Sequence, residues 1–208
     1  MFKQNEKIIL ASQSDSRKKV LDMAKIQYDL PKNLHSDEDE ETFKYSVEHL
    51  KMEEYIQKIS NFKALEVSKL NPNITVLSGD QACVLNGEEI RKPYTTTEAI
   101  AQLTSFAGKT FELITSLSLC KNGRVIWEYQ TTASVTLRKF SMRDAENYVN
   151  IEETAEDGDS VVGVAGACRI ESPYGMHMIK HVSGDAYTIM GLPIHALVDE
   201  LYKQNIII

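Results

Sequence analysis

The run Ile8-Ile9-Leu10-Ala11-Ser12-Gln13-Ser14-Asp15-Ser16-Arg17-Lys18-Lys19-Val20-Leu21 decides how the chain begins to fold. Its first four residues are apolar, which suits a short buried strand. Ser12 to Ser16 are polar and rich in residues that cap helix N-termini. Val20, Leu21 and Ala24 then recur at roughly helical spacing. The unit reads as strand, polar loop, helix. A helix start leaves amides unpaired, and Ser12, Ser14, Ser16, Arg17, Lys18 and Lys19 surround it with hydroxyls and cations, which suits phosphate. The same residues also fit a plain helix cap with solvated cations. The glycines of a Walker loop are missing.

The acidic residues 35–42 predict an exposed loop. Phe43, Val47, Leu50, Ile56, Ile59, Phe62 and Leu65 then suit one or two amphipathic helices, ended by Asn71-Pro72-Asn73. Residues 74–85 read as a strand closed by an Asn86-Gly87 turn. Thr95-x-x-Glu98 opens a helix through Phe106. Residues 110–120 and 124–137 flank Asn122-Gly123 as a long hairpin. Ser141-x-x-Asp144 opens a shorter helix ending near Val149. Residues 156–160 form an acidic turn, with Asp157-Gly158-Asp159 too short for a calcium loop. Residues 161–171 and 176–182 read as two more strands, and a helix follows Gly191-Leu192-Pro193 to about Lys203. Helices with both crossover and hairpin connections imply an α/β fold with a mixed, curved sheet.

With 208 residues, 42 % hydrophobic and 25 % charged, the chain can bury a core without staples. The net charge of −7 opposes general nucleic-acid binding but leaves room for a small anion. Cys83, Cys120 and Cys168 are far apart and form no CxxC pair, which predicts buried free thiols in a reducing compartment. No signal-like or membrane-length apolar segment is visible, so a cytoplasmic protein is expected.

Asp80 and Gln81 interrupt an apolar strand. A charge there is costly unless it is paired or binds a metal, and Lys92-Pro93 follows soon after the turn. The pair suits either a structural ion pair or a carboxylate beside a phosphate-binding cation. The run Asp37 to Glu41 suits a solvated surface, although one carboxylate could reach a hard cation. His177 and His181 would share a face of a strand, but no third ligand is evident, so packing or surface histidines are expected.

In order along the chain, Ser12-Gln-Ser14-Asp-Ser16-Arg17-Lys18, Asp37-Glu38, Lys63-Ala64, Gly79-Asp80-Gln81 with Lys92-Pro93, Ala165-Gly166-Ala167 with Ile170-Glu171, and Gly184-Asp185-x-Tyr187 through Pro193 resemble the Maf family over nearly the whole length. The resemblance implies one domain over residues 1–208, with the Maf/inosine-triphosphatase-like fold: an elongated mixed sheet flanked by helices, in two lobes with a cleft. It implies a nucleoside triphosphate pyrophosphatase that uses Mg²⁺ or Mn²⁺ and yields a monophosphate and pyrophosphate. Asp80 would be the base or metal carboxylate, and Glu38 would help hold the metal, with Asp37 as the alternative. Ser12, Ser14, Arg17, Lys18, Lys63 and Lys92 would hold the triphosphate. Family relatives imply a homodimer, which no feature of the residues shows.

The resemblance assigns base selection to Ser16, Gln81 and Glu171. Gln81 and Glu171 resemble the 7-methyl-GTP subgroup, and a carboxylate accepts from a guanine edge in a way that uracil does not allow. Ser16 matches neither that subgroup's aromatic residue nor the arginine of the thymidine/uridine subgroup. Asp15 replaces the usual proline and puts a negative charge in the phosphate loop. Lys18 replaces an arginine, and Arg91 replaces a glycine. The alternative is a nucleotide-binding regulatory protein, linked to cell division, whose catalysis is lost through Asp15 and Lys18.

Overall fold

A computed structural model describes residues 3–32, 36–156 and 158–208, with only the backbone of Asp37. His35 and Asp157, each within a sequence-based expectation above, lie outside the described residues. The strands are β1 (Ile8–Leu10), β2 (Tyr28–Asp29), β3 (Val76–Leu85), β4 (Glu88–Ile90), β5 (Thr110–Lys121), β6 (Arg124–Leu137) and β7 (Ile179–Ser183). The helices are α1 (Asp15–Met23), α2 (Asp37–Val47), α3 (Met52–Leu70), α4 (Thr96–Phe106), α5 (Met142–Thr154), α6 (Gly175–Met178), α7 (Ala186–Ile189) and α8 (Ile194–Lys203). The sheet is mixed, in the order β2-β1-β3-β5-β6-β7 with β4 on β3. β1 runs parallel to β2 and β3, while β4 on β3 and β7 on β6 are antiparallel.

Two compact units share these elements. The first comprises Met1–Gln81, Thr115–Thr131 and Gly191–Ile208. Its core includes Ile9, Ala11, Ala64, Val67, Val76 and Cys120. Beside this apolar layer lies a polar one. Ser60, Ser78 and Ser118 are all at most 1 % exposed. Ser78 Oγ donates to the Ser60 carbonyl, and the Ser60 and Ser78 hydroxyls lie 3.2 Å apart. Ser118 Oγ lies 2.8 Å from Ser60 Oγ and 2.6 Å from Asn61 Oδ1, and Gln57 Nε2 donates to it at 3.0 Å. These bonds fix where α3 sits on β3 and β5, because buried hydroxyls are costly to leave unpaired.

The second unit comprises Ala82–Ile114 and Thr132–Met190. Leu103, Phe106, Phe111, Leu137, Ala145 and Val149 lie in its core. α4 is capped by Thr95 and α5 by a full Ser141–Asp144 capping box. Both Asn-Gly turns place Asn and Gly at positive φ, Asn86 and Gly87 at 55° and 85°, Asn122 and Gly123 at 53° and 69°. That is the backbone of a type I′ hairpin turn.

Four expectations change. Of residues 35–42, those from Asp37 onward are helix rather than loop. Ser36 caps α2 by accepting from the Asp39 amide at 3.0 Å, and acidic residues in a first turn complement the helix dipole. α5 continues to Thr154 instead of ending near Val149, because Glu152 is buried and satisfied: it accepts from Ser172 Oγ, and from the Asp159 amide at 3.1 Å. Residues 161–171 hold no strand, since Gly163, Gly166 and Ala167 at φ of 85°, 89° and 47° break an extended run. The expected strand at 176–182 is α6 followed by β7, so His177 lies in a helix and His181 in a strand, both exposed. Cys83 and Cys120 are buried and Cys168 is partly buried, and all three are free thiols.

Candidate active site

The site in the first unit is built from three pieces of local structure. Ser14 caps α1, with its Oγ 3.5 Å from the Arg17 amide. Ser12 turns inward, 8 % exposed, and its Oγ accepts from the Ser14 amide at 3.3 Å and from Arg17 Nη1 at 2.9 Å. Arg17, also 8 % exposed, donates through Nε to the Gly191 carbonyl at 2.8 Å. The guanidinium therefore ties the loop to the turn before α8. Burial lowers the Arg17 pKa, and the charges of Asp80 and Glu40 pull it back up.

Strand alternation divides the work of β3. Ser78 and Asp80 face α3, as their bonds to Ser60 and Lys63 show. Gly79 and Gln81 face the other way. A Cβ at Gly79 would stand 3.1 Å from Arg17 Nε, so the glycine makes room for the guanidinium. Gln81 Nε2 donates to Thr115 Oγ1 at 2.7 Å, and a Cβ at Gly191 would lie 3.7 Å from Gln81 Oε1. Gly191 itself needs its φ of 84°, which favours glycine.

On the α3 side, Lys63 Nζ lies 2.8 Å from Asp80 Oδ1 and 3.0 Å from Glu40 Oε1. Asp80 Oδ2 has no hydrogen-bond partner among the described residues. Phe43 of α2 stacks on Phe62 of α3 with centroids 4.4 Å apart, which holds the Glu40 face of α2 toward Lys63. Lys44 pairs with Glu40 and Glu41, each at 2.9 Å. Burial works to lower the Lys44 ammonium, but its bonds to Glu41 and Glu40 outweigh that and hold it above its ordinary range.

Two groups result: Ser12 bonded to Arg17 with Gln81 close to Gly191, and Lys63 bonded to Asp80 and Glu40, whose charges act on Arg17. Glu38 joins neither: it is exposed on α2, and Glu40 takes the place beside Lys63 and Asp80. Glu40 lies three residues before Phe43 and seven before Val47, so it shares their stripe of α2, a signal hidden when the segment is read as a loop. Asp15 is turned outward and neutralised, its carboxylate 79 % exposed and 2.8 Å from Lys18 Nζ. Ser16 is half-buried in the first turn of α1.

Lys92 and Glu171 belong to the second unit. Lys92 is exposed just after β4. Glu171 Oε1 accepts from Arg169 Nη1 at 3.3 Å. Arg169 is in turn anchored by donating from Nε to the Ser160 carbonyl at 2.8 Å. Nothing in the sequence reading pointed to Arg169. No group of three or more His, Cys, Asp or Glu suited to a metal occurs among the described residues. The donor set nevertheless fits a hard divalent cation that keeps most of its waters and takes phosphate oxygens: Glu40 and Asp80 supply two carboxylates converging on one positive atom. No helix among the described residues is long and apolar enough to cross a membrane.

A profile of the family described as Maf-like protein matches residues 7–204. The chain is 29 % identical to a nucleoside triphosphate pyrophosphatase of Rhodopseudomonas palustris, over 98 % of this chain and 96 % of that protein. It is 30 % identical to a 7-methyl-GTP pyrophosphatase of Brucella suis, over 97 % of this chain and 98 % of the relative. A nucleoside triphosphate pyrophosphatase of Legionella pneumophila is also 30 % identical, over 99 % of this chain and 98 % of its own length. With a family match over residues 7–204 and relatives of 30 % identity aligned almost end to end, the chain belongs to the Maf family.

Proposed function

We propose that this protein hydrolyses a nucleoside triphosphate to the monophosphate and pyrophosphate with the help of a divalent cation. The observation that carries the reading is the Glu40–Lys63–Asp80 cluster next to the buried Arg17. Relatives named as nucleoside triphosphate pyrophosphatases support it over the full length. Glu40 and Asp80 would hold the cation, which when bound neutralises charge on the phosphates. Asp80 takes the proton of a water that attacks the α-phosphorus as the bond to the β-phosphate oxygen breaks. Ser14, Lys18, Lys63 and Lys92 bind the triphosphate and the departing pyrophosphate. Arg17 and Ser12 hold the loop that presents its amides.

Base preference is assigned to Gln81 and Glu171, with a guanine-type base such as 7-methyl-GTP favoured over dTTP or UTP. The 7-methyl-GTP pyrophosphatase among the relatives supports this choice. The regulatory alternative rests on Asp15 and Lys18, which pair with each other at 2.8 Å. A screen of pyrophosphate release over standard and methylated nucleotides with Mg²⁺ or Mn²⁺ tests the reading. Asp80→Asn should abolish release with the fold intact. Absence of release from every nucleotide would refute the proposal.

A further inference from the structure

One atom, Lys63 Nζ, lies between the Glu40 and Asp80 carboxylates, at 3.0 and 2.8 Å. The side chains of Lys63, Glu40 and Asp80 are only 14, 17 and 19 % exposed. Glu40 and Asp80 are the carboxylates that would hold a divalent cation, and an ammonium already lies between them. Mg²⁺ binds oxygens at about 2.0–2.1 Å, so the metal and Nζ cannot share the gap.

We infer that Lys63 and the divalent cation exchange places, so that metal and nucleotide load together. In the nucleotide-free protein the ammonium neutralises the carboxylate pair. When a triphosphate arrives, Lys63 leaves for the phosphates and the metal takes the carboxylates. This rests on the proposed pyrophosphatase reading and adds to it an order of loading.

Charge decides the order. Glu40 and Asp80 already face Lys63, Lys44 and Arg17. Metal alone would add two positive charges where three cations already act on two carboxylates, and would strand the Lys63 ammonium away from water. Metal with a triphosphate brings net negative charge, and its oxygens give Lys63 new partners. The flexible four-carbon stem of lysine allows the swing, and two carboxylates are offered among the described residues, so free metal has few protein ligands there.

The test measures Mn²⁺ binding to the whole chain by the loss of free-Mn²⁺ paramagnetic resonance signal, with no turnover involved. Wild type should bind Mn²⁺ weakly alone and tightly with a non-hydrolysable triphosphate. Lys63→Met and Lys63→Gln should each bind Mn²⁺ without nucleotide at least about tenfold more tightly than wild type, the scale of one lost charge contact in a partly buried site. Lys44→Met also removes a cation next to Glu40 but leaves the gap filled, so it should change Mn²⁺ affinity much less. Unchanged affinity in both Lys63 variants overturns the inference. So does an equal gain in Lys44→Met, which would mean that net charge alone matters. Failure to release pyrophosphate would instead strike the proposed activity and leave this measurement standing.

Discussion

Replacing Gly79 by alanine adds one methyl group at the point where β3 passes Arg17. Its Cβ would lie 2.9 Å from Leu117 Cδ2, 3.1 Å from Arg17 Nε and 3.1 Å from the Ser116 carbonyl. Leu117 is fully buried, and the carbonyl belongs to β5, so neither neighbour retreats freely. Overpacking of this kind costs about 1–3 kcal/mol. For a chain of this size that lowers Tm by roughly 2–12 °C, at about 2–4 °C per kcal/mol. The softer neighbour is the guanidinium, which must shift away from Ser12 and Gly191 and disturb the loop before α1. Gly87→Ala is the matched control. It has nothing within 4 Å of the added carbon, and its φ of 85° costs only backbone strain, about 1–2 kcal/mol. Urea unfolding should show both variants losing stability, while only Gly79→Ala raises KM for pyrophosphate release. A Gly79→Ala protein with unchanged urea midpoint and unchanged KM would refute the packing argument.

Glu40→Gln should lower turnover by about a hundredfold or more, as loss of a group stabilising transition-state charge does, while Glu38→Gln stays near wild type; steady-state kinetics of the two decides which carboxylate acts. Glu171→Gln should move the ratio of kcat/KM for guanine over uracil nucleotides by roughly 10–100-fold towards uracil, measured by competition between the two. Burial pushes the Cys83, Cys120 and Cys168 thiols from an ordinary 9.0 up to about 12. The folded state therefore holds these protons more tightly, so the stability involved is intact below pH 9.0 and is lost as pH rises toward about 12. Urea midpoints measured across that range should fall, and at pH 8 the thiols should react with a disulfide reagent far faster in urea than in the native protein.

The elements that the sequence specified locally are the ones it revealed. Ser14, Thr95 and Ser141 are capping residues whose role depends on the next three positions, and each caps the helix expected. The two Asn-Gly turns behave likewise. Asp80 stood out because a charge inside an apolar strand demands a partner, and Lys63 is that partner. What stayed hidden depended on distant chain. The acidic run after Ser36 looked like solvated loop because its charges masked a helix whose inward stripe is Glu40, Phe43 and Val47. Residues 161–171 carry strand-like composition, yet their backbone follows the needs of the fold around Gly166 and Ala167. Arg169 gave no signal, since its partners Ser160 and Glu171 are recognisable only once the loop is closed.

The buried hydroxyl contacts beneath α3 restrict how this sequence can drift. Ser60, Ser78 and Ser118 come from three separate segments and each satisfies another. Replacing one by alanine leaves a buried hydroxyl or carbonyl short of a partner, which costs about 1–3 kcal/mol. Only replacing all three together with Gln57 and Asn61, which also bond Ser118, by matched apolar residues approaches neutrality. The route between those two sequences passes through less stable intermediates, so these positions should change together or not at all. Lys63 sits one helical turn beyond Ser60, and so inherits that constraint although it takes no part in the hydroxyl contacts.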